Sequence, residues 1–327
     1  MTRFAGLLAA LTACLSAPAL TQSQVTDPDF DASVERPAYS QPGPVVAIDA
    51  AHHNSHTAEG PYQPLAELLR NDGYRVVVAN EPFTCHGLAE VDVLIVANAG
   101  AREPDPDAPP IFSDAEAETL RDWVADGGAL LLIADHAPFG AAAQKLAGRF
   151  GVEMGEGWVL DAGARPGSIS TQIVYSRENG RLGDHPILRG RGPIETVNLV
   201  RSFSGQSLTL PEGAAPLLIL GPRAREVTDN NALDDAAQAV RSAEGPWYEL
   251  VAPWSRDVGG RVQGLAMTFG DGRVVVLGEA AMLSAQVIAL PNPDGTERVF
   301  RAGMNAPGND NRQFALNLLR WLSGALD

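Results

Sequence analysis

Runs of apolar residues without alternation recur along this chain, and several stop abruptly at polar residues. ALLLIA, Ala129 to Ala134, leads directly into Asp135 and His136, then a turn with Pro138 and Gly140, then an alanine-rich stretch. Six consecutive apolar residues predict a strand covered on both faces, as strands of parallel sheets are. VVAIDA from Val45, YRVVVAN from Tyr74, VDVLIVANAG from Val91, APLLILGP from Ala215 and RVVVLG from Arg273 have the same character. Between them, YQPLAELLRNDG (Tyr62 to Gly73) has helical spacing and a glycine stop. Ser113 with Glu116 three residues on forms a capping box that opens the helix DAEAETLRDWVADGG. Strands alternating with helices in this way predict right-handed crossovers and a mostly parallel sheet.

The second half is richer in extended segments. GVEMGEGWVLDAG, STQIVYSREN and SFSGQSLTL read as strands, and REVTDNNALDDAAQAVRSAEGP as an acidic surface loop or short helix. WYELVAPWS and RVQGLAMTFGDGRVVVLGEAAM form a hairpin pattern with its turn at Asp271-Gly272. A loop, GMNAPGNDN, and the helix RQFALNLLRWLSGAL close the chain. No internal repeat or second boundary is visible, so residues 45–327 are expected to be a single domain.

The amino terminus changes the picture of location. Residues 1–19 resemble an export signal, with Arg3 ahead of the apolar run Phe4 to Ala13, which is too short to anchor in a bilayer. Ala17-Pro18-Ala19 suits ordinary cleavage. Leu11-Thr12-Ala13-Cys14 suits a bacterial lipobox that would lipidate Cys14. Both imply an exported protein, periplasmic or lipid-anchored in a bacterial envelope, with membrane contact only through that anchor. Residues 20–44 are polar, proline-bearing and aperiodic, and read as a flexible tether.

Composition adds exclusions. At 327 residues and 45% hydrophobic, the chain can bury a large core. Its formal net charge of −16, with 40 acidic against 24 basic residues, argues against a nucleic-acid partner. Cys85 is the one cysteine outside the export signal, so the mature chain holds no internal disulfide. Cys85-His86 invites a nucleophile reading, but sequence neighbours rarely point at each other.

Three expected strand ends carry polar residues that do nothing for sheet packing. One offers Asp49, His52, His53, Asn54 and His56, a second Asp135 and His136, a third Glu279. In a parallel sheet these ends share one edge, where ligands bind. Asp135, His136 and Glu279 are therefore candidate catalytic residues. Asp49, His53, Asn54 and Asn305 of the closing loop are candidate ligand contacts. His52, His56 and His136 are candidate ligands of a divalent metal such as zinc, which would activate water. The alternative is structural: Asp135 and Glu279 cap the segments after them, and the histidines hydrogen-bond loops. Asp184-His185-Pro186 reads as an ordinary turn, and DNNALDD lacks the glycine and terminal Glu of a calcium loop.

With these residues in view, the chain resembles a family of exported bacterial proteins whose domain is similar to class I glutamine amidotransferases. It is related to GldG-like domains and, more distantly, to the ThuA group. IDAAHHNSHT, LLRNDGYRV, LRDWVADGGALLLIADHAPFG, LGDHPILRGR and GRVVVLGEAAM with its following GMN carry the resemblance, across most of Val45 to Leu322. It implies a flavodoxin-like, three-layer α/β/α sandwich. Family patterns place an acidic residue after Asp49, where this chain has Ala50. Amidotransferases carry a nucleophilic cysteine at the turn after the central strand. Here Asp135 and His136 stand there, so cysteine-based glutamine hydrolysis is not expected. Two functions follow as expectations. One is an envelope hydrolase, metal-assisted or not, acting on a carbohydrate- or cell-wall-derived substrate. The other is a non-catalytic subunit of an envelope or transport complex that binds a small molecule or glycan.

Overall fold

The computed structural model describes residues 23–40, 43–102, 108–163, 168–228, 230–291 and 296–327. The export signal expected over residues 1–19, with Cys14, lies outside the described residues. Seven strands make the central sheet: β1 (Val45–Asp49), β2 (Arg75–Ala79), β3 (Val93–Ala97), β4 (Ala129–Ile133), β5 (Ala215–Ile219), β6 (Val262–Phe269) and β7 (Gly272–Leu277). Their order is β5-β6-β7-β4-β3-β1-β2. β2, β1, β3, β4 and β7 run parallel, while β6 is antiparallel to both its neighbours. The sheet is therefore large and mostly parallel, as its buried apolar runs predict.

β1, β3 and β4 are buried along their whole length. Successive side chains of a strand face opposite ways, and two cores result. Val46, Ile48, Leu131 and Ile133 join one core with α1 (Gln63–Asn71). Ala47, Leu130 and Leu132 join the other with α2 (Asp114–Ala125) and α3 (Phe139–Gly148). A last helix, α4 (Asn311–Leu322), packs into the first core through Phe314, Leu318 and Leu319. Among the described residues no helix is long and apolar enough to cross a membrane.

The hairpin β6–β7 pairs Phe269 with Gly272, so its turn is Gly270-Asp271, one residue earlier than the sequence suggests. Gly270 takes φ 59, a conformation that glycine adopts without the Cβ penalty. WYELVAPWS is not a hairpin partner: Trp247–Leu250 is a short helix and Ser255–Asp257 pairs with Arg225–Val227. A second hairpin, Ala285–Pro291 with Glu297–Gly303, follows the β7 loop and was not anticipated. Its sequence, AQVIALP then ERVFRAG, is strand-like, but charged and proline residues interrupt the pattern.

Residues 23–40 of the stretch expected to be a tether are instead bound. Ser23–Thr26 adds a third strand to that second hairpin, beside Ala285–Pro291. Farther on, side chains of the domain grip the backbone: Asn71 donates to the Ala32 carbonyl, Arg312 to those of Asp31 and Ser33, and Arg191 and Arg320 to that of Arg36. Recognition of main-chain carbonyls leaves little trace in side-chain patterning, which is why the arm reads as unstructured.

Beneath the arm, Arg320 is 1% exposed and makes two bonds of 2.9 and 2.7 Å to Asp72, which is wholly buried. Asp72 also accepts from the Ala38 amide. Removing one partner of such a pair leaves a buried charge uncompensated. Asp72→Ala is expected to lower unfolding free energy by about 3–5 kcal/mol in urea titrations, whereas substitution of the exposed Asp122 should change it by less than about 0.5 kcal/mol.

Candidate functional site

The parallel order brings the ends of β1, β3, β4 and β7 to one rim. The strand order reverses between β1 and β3, where the chain leaves to build β2 and returns on the other side. Such a point is where loops diverge and crevices form. Here the two loops are stitched together: the Ser55 amide bonds the Asn98 carbonyl, and those of Gly100 and Ala101 bond the carbonyls of His52 and His53. His53 at φ 53 and Asn98 at φ 47 both take left-handed backbone, which non-glycine residues adopt at some energetic cost.

Of the histidines, His52 is the most tightly fixed. Its Nδ1 lies 2.9 Å from both oxygens of Asp49, and its Nε2 lies 2.9 Å from Oε1 of Glu116. The ring packs against Phe83 and Phe112 at 4.5 and 4.6 Å. Burial pulls its pKa down, but the bonds and charges of Asp49 and then Glu116 outweigh it and hold it above the ordinary value. Glu116 also closes the capping box with Ser113 at the start of α2. The predicted cap therefore exists, and its carboxylate ties α2 to the β1 loop as well.

His56 has the opposite environment. Asn98 and Ser55 lie 3.2 and 3.0 Å from its Nδ1, its ring meets Tyr62 edge-on at 4.9 Å, and its buried Nε2 has no hydrogen-bond partner among the described residues. Burial without a countercharge depresses its pKa to about 4. The Asn98 side-chain oxygen in turn accepts the Asp135 amide at 2.8 Å, which links the β1 loop to the β4 end.

β4 and β7 are neighbours in flush register, Ile133 opposite Leu277, so Asp135 and Glu279 follow on adjacent strand ends. Glu279 is fully buried and Asp135 is 6% exposed. Glu279 accepts the amides of Ala281 and Met282, with a further bond from Ser204. Asp135 accepts the amide of His136, with a further bond from Ala280. Tyr62 donates to the Ala280 carbonyl at 2.9 Å. Burial raises both carboxyls, Glu279 well above its ordinary range because the Asp135 charge adds to it; the His136 charge partly offsets the rise at Asp135. Both groups thus hold a proton more strongly than exposed carboxyls do.

His136 is half-buried. Its ring stacks on Trp158 at 4.9 Å, its Nδ1 lies 2.8 Å from the Ala137 carbonyl, and Nε2 makes no hydrogen bond among the described residues. An Nδ1 hydrogen donated to that carbonyl leaves Nε2 as the acceptor, the tautomer a general base requires.

Asp49, His52, His53, Asn54, His56, Asp135, His136 and Glu279 therefore belong to one rim. Asn54 staples the loop, accepting from the His52 amide and donating to the Ala97 carbonyl, while His53 is exposed. Asn305 bonds Asp27 and Gln286 and lines a different cavity. His52, His56 and His136 are not assembled as a metal set. Both nitrogens of His52 face carboxylates, Nδ1 of His56 faces the Asn98 amide and the Ser55 hydroxyl, and no three His, Cys, Asp or Glu converge suitably among the described residues. Cys85 is exposed at the start of a short helix. Sequence reading missed Asn98, though a polar residue ending VLIVA is the same signal that singled out Asp135. It also missed Glu116 as the His52 partner, which no local pattern reveals.

No protein-family profile matches the sequence, and no curated protein matches it. Solved structures do. The mmIFT52 N-terminal domain superposes with a TM-score of 0.54 at 15% identity, covering 85% of this chain and 97% of that one. The likeness is one of fold. A ThuA-like protein from Bacteroides uniformis gives 0.41 at 12% identity, covering 88% and 93% of the two chains. A GMP synthase-like protein from Thermoplasma acidophilum gives 0.41 at 11%, covering 86% and 94%.

Two pH effects of opposite sign follow. A carboxyl raised in the folded state binds a proton the unfolded chain releases, so stability falls as pH rises through the folded pKa. Glu279→Gln should flatten that alkaline-side loss in melting temperatures measured between about pH 5 and 8; an unchanged slope would mean the pair is not protonated. His56, depressed to about 4 from 6.5, gives stability that is complete above 6.5 and lost as pH falls towards 4. His56→Asn should weaken the pH dependence in that window, and His185, also depressed to about 4, should account for part of what remains.

Proposed function

We propose that this chain is a non-catalytic ligand-binding subunit of a bacterial envelope complex, and that its carboxyl-end rim takes a glycan or other small cell-wall-derived molecule. The observation carrying this reading is the state of the rim carboxyls. Asp49 and Glu279 are wholly buried, Asp135 nearly so, and hydrogen-bond donors occupy all three. Groups held this way make a rigid support and are poorly placed to reach a substrate. The outward element is the elbow itself, where His136 lies on Trp158 beside half-buried Phe139 at 6.2 Å. An imidazole with one free nitrogen beside an aromatic ring suits a ligand with an apolar face and hydroxyls.

The scaffold proposed for this rim is a three-layer α/β/α sandwich of the class I amidotransferase-like, flavodoxin-like type. Its support is the separation of α1 and α4 from α2 and α3 into different cores. Export and attachment to the envelope rest on the amino-terminal sequence and remain part of the proposal.

One observation favours a hydrolase as the second reading. The Nδ1 contact of His136 leaves Nε2 available as a base, next to a carboxyl pair whose proton affinity burial raises. In that mechanism His136 would take a proton from water on Nε2 while the Ala137 carbonyl holds its Nδ1 hydrogen and orients the ring. No metal step is included, because the rim donors do not fit a ligand set.

Calorimetry and thermal shift with a chitooligosaccharide, alongside assay of product release, separate the two. The binder reading expects saturable heat, a melting temperature raised by several degrees, no product, and loss of both signals in His136→Ala. Product formation abolished by His136→Ala would replace it with the hydrolase. Neither binding nor product would remove the rim as a glycan site.

A further inference from the structure

A groove of about 560 Å³ lies between the strand Leu199–Ser202 and the hairpin that follows the β7 loop, and it shares no lining residue with the rim. Its volume suits a small-molecule ligand. Among the described residues that line it are three arginines, Arg201, Arg298 and Arg301, and no acid. This is unexpected in a chain whose formal net charge is −16. Phe203 and Phe300, both half-buried, line the groove as well.

The three arginines differ in what already holds them. Arg301 donates from Nε to Asp27 at 3.0 Å, which fixes its guanidinium and offsets its charge. Arg201 is half-buried, yet its guanidinium makes no hydrogen bond or ion pair among the described residues. Other arginines with little exposure are matched: Arg181 by Asp161, Arg191 by Glu195 and Arg320 by Asp72. Withdrawing a cation from water without a partner is unfavourable. Arg298, exposed on the hairpin, likewise meets no acid among the described residues. Arg201 is also held from behind, because the wholly buried Asn311 accepts its amide at 2.9 Å and donates to its carbonyl at 2.8 Å. A buried polar side chain thus sets the backbone of an unpaired arginine. Past Arg201 the groove continues into a second hollow, where Asp161 is already taken by Arg181.

We infer that the groove binds a small phosphate monoester with a flat apolar body, its phosphoryl oxygens taken by Arg201 and Arg298 and its body resting on Phe203 and Phe300. Two uncompensated guanidiniums match the roughly 1.5 to 2 negative charges that a phosphate monoester carries at neutral pH. The planar guanidinium fork also fits phosphate oxygens in pairs. Arg301, tethered to Asp27, adds donors but little net charge. A cation would be repelled by this lining, and a neutral sugar would leave both free charges unanswered. Such a ligand needs no contact with His136 or Glu279. The site is independent of the rim.

The test is titration calorimetry of the full chain with phenyl phosphate at low salt, and with inorganic phosphate and phenol as its separate halves. Expected is saturable binding of phenyl phosphate, about tenfold or more tighter than that of inorganic phosphate, and no saturable heat with phenol. Arg298→Ala should weaken phenyl phosphate about tenfold or more, with its melting temperature unchanged because the residue is exposed. Arg201→Gln should weaken it at least as much; if that variant fails to fold, Arg298→Ala decides. His136→Ala should bind as the parent does, which separates this site from the rim. Absence of saturable heat at millimolar phenyl phosphate, undiminished binding in Arg298→Ala, or loss of binding in His136→Ala would each overturn the assignment. Inorganic phosphate or phenol binding as tightly as phenyl phosphate would overturn it too, the first by removing the phenylalanines from recognition and the second by removing the arginines.

Discussion

Two carboxyl groups share the dry end of this sheet because β4 and β7 lie side by side in flush parallel register. That one constraint sets the character of the rim. Asp135 and Glu279 follow paired positions, Ile133 and Leu277, so they emerge together into protein where no lysine or arginine among the described residues bonds them. Like charges in such a place cannot both persist. The structure meets the difficulty with backbone amides, which stabilise a carboxylate, while burial and mutual repulsion favour protonation of the pair.

The β1 and β3 loops show the same logic with different partners. Asp49 and Glu116 face each other across His52, and the imidazole between them, whose pKa their charges raise, moderates what would otherwise be a second unfavourable pair. His56, only four residues on, has no carboxylate and stays neutral. The two histidines differ because Asp49 and then Glu116 reach one and not the other, and Glu116 comes from a helix start some way along the chain. Asn98 then couples the neutral histidine to the elbow. The rim is a set of hydrogen-bonded staples joining four strand ends and one helix.

Much of this was legible in the sequence. Unalternated apolar runs identify buried parallel strands, and a polar residue that ends such a run marks the rim; Asp49, Asp135 and Glu279 were all visible that way. The capping box at Ser113 and Glu116 was also readable, because it is local. What was not legible depends on distance. Nothing near Glu116 points to His52, and nothing in residues 23–40 indicates that arginines elsewhere hold their carbonyls. Asn305 looked like a rim residue because it follows the last strand, yet an unanticipated hairpin carries it towards Asp27. The three imidazoles looked like a metal set on spacing alone, and their partners in space are carboxylates, amides and rings instead.

The raised proton affinity of the buried Asp135 and Glu279 carboxyls is the central claim, and infrared difference spectroscopy at neutral pH tests it most directly. The account predicts a protonated-carboxyl carbonyl band in the parent protein that disappears in Glu279→Gln or Asp135→Asn. Absence of that band in the parent, with both carboxylates ionised at neutral pH, would contradict it.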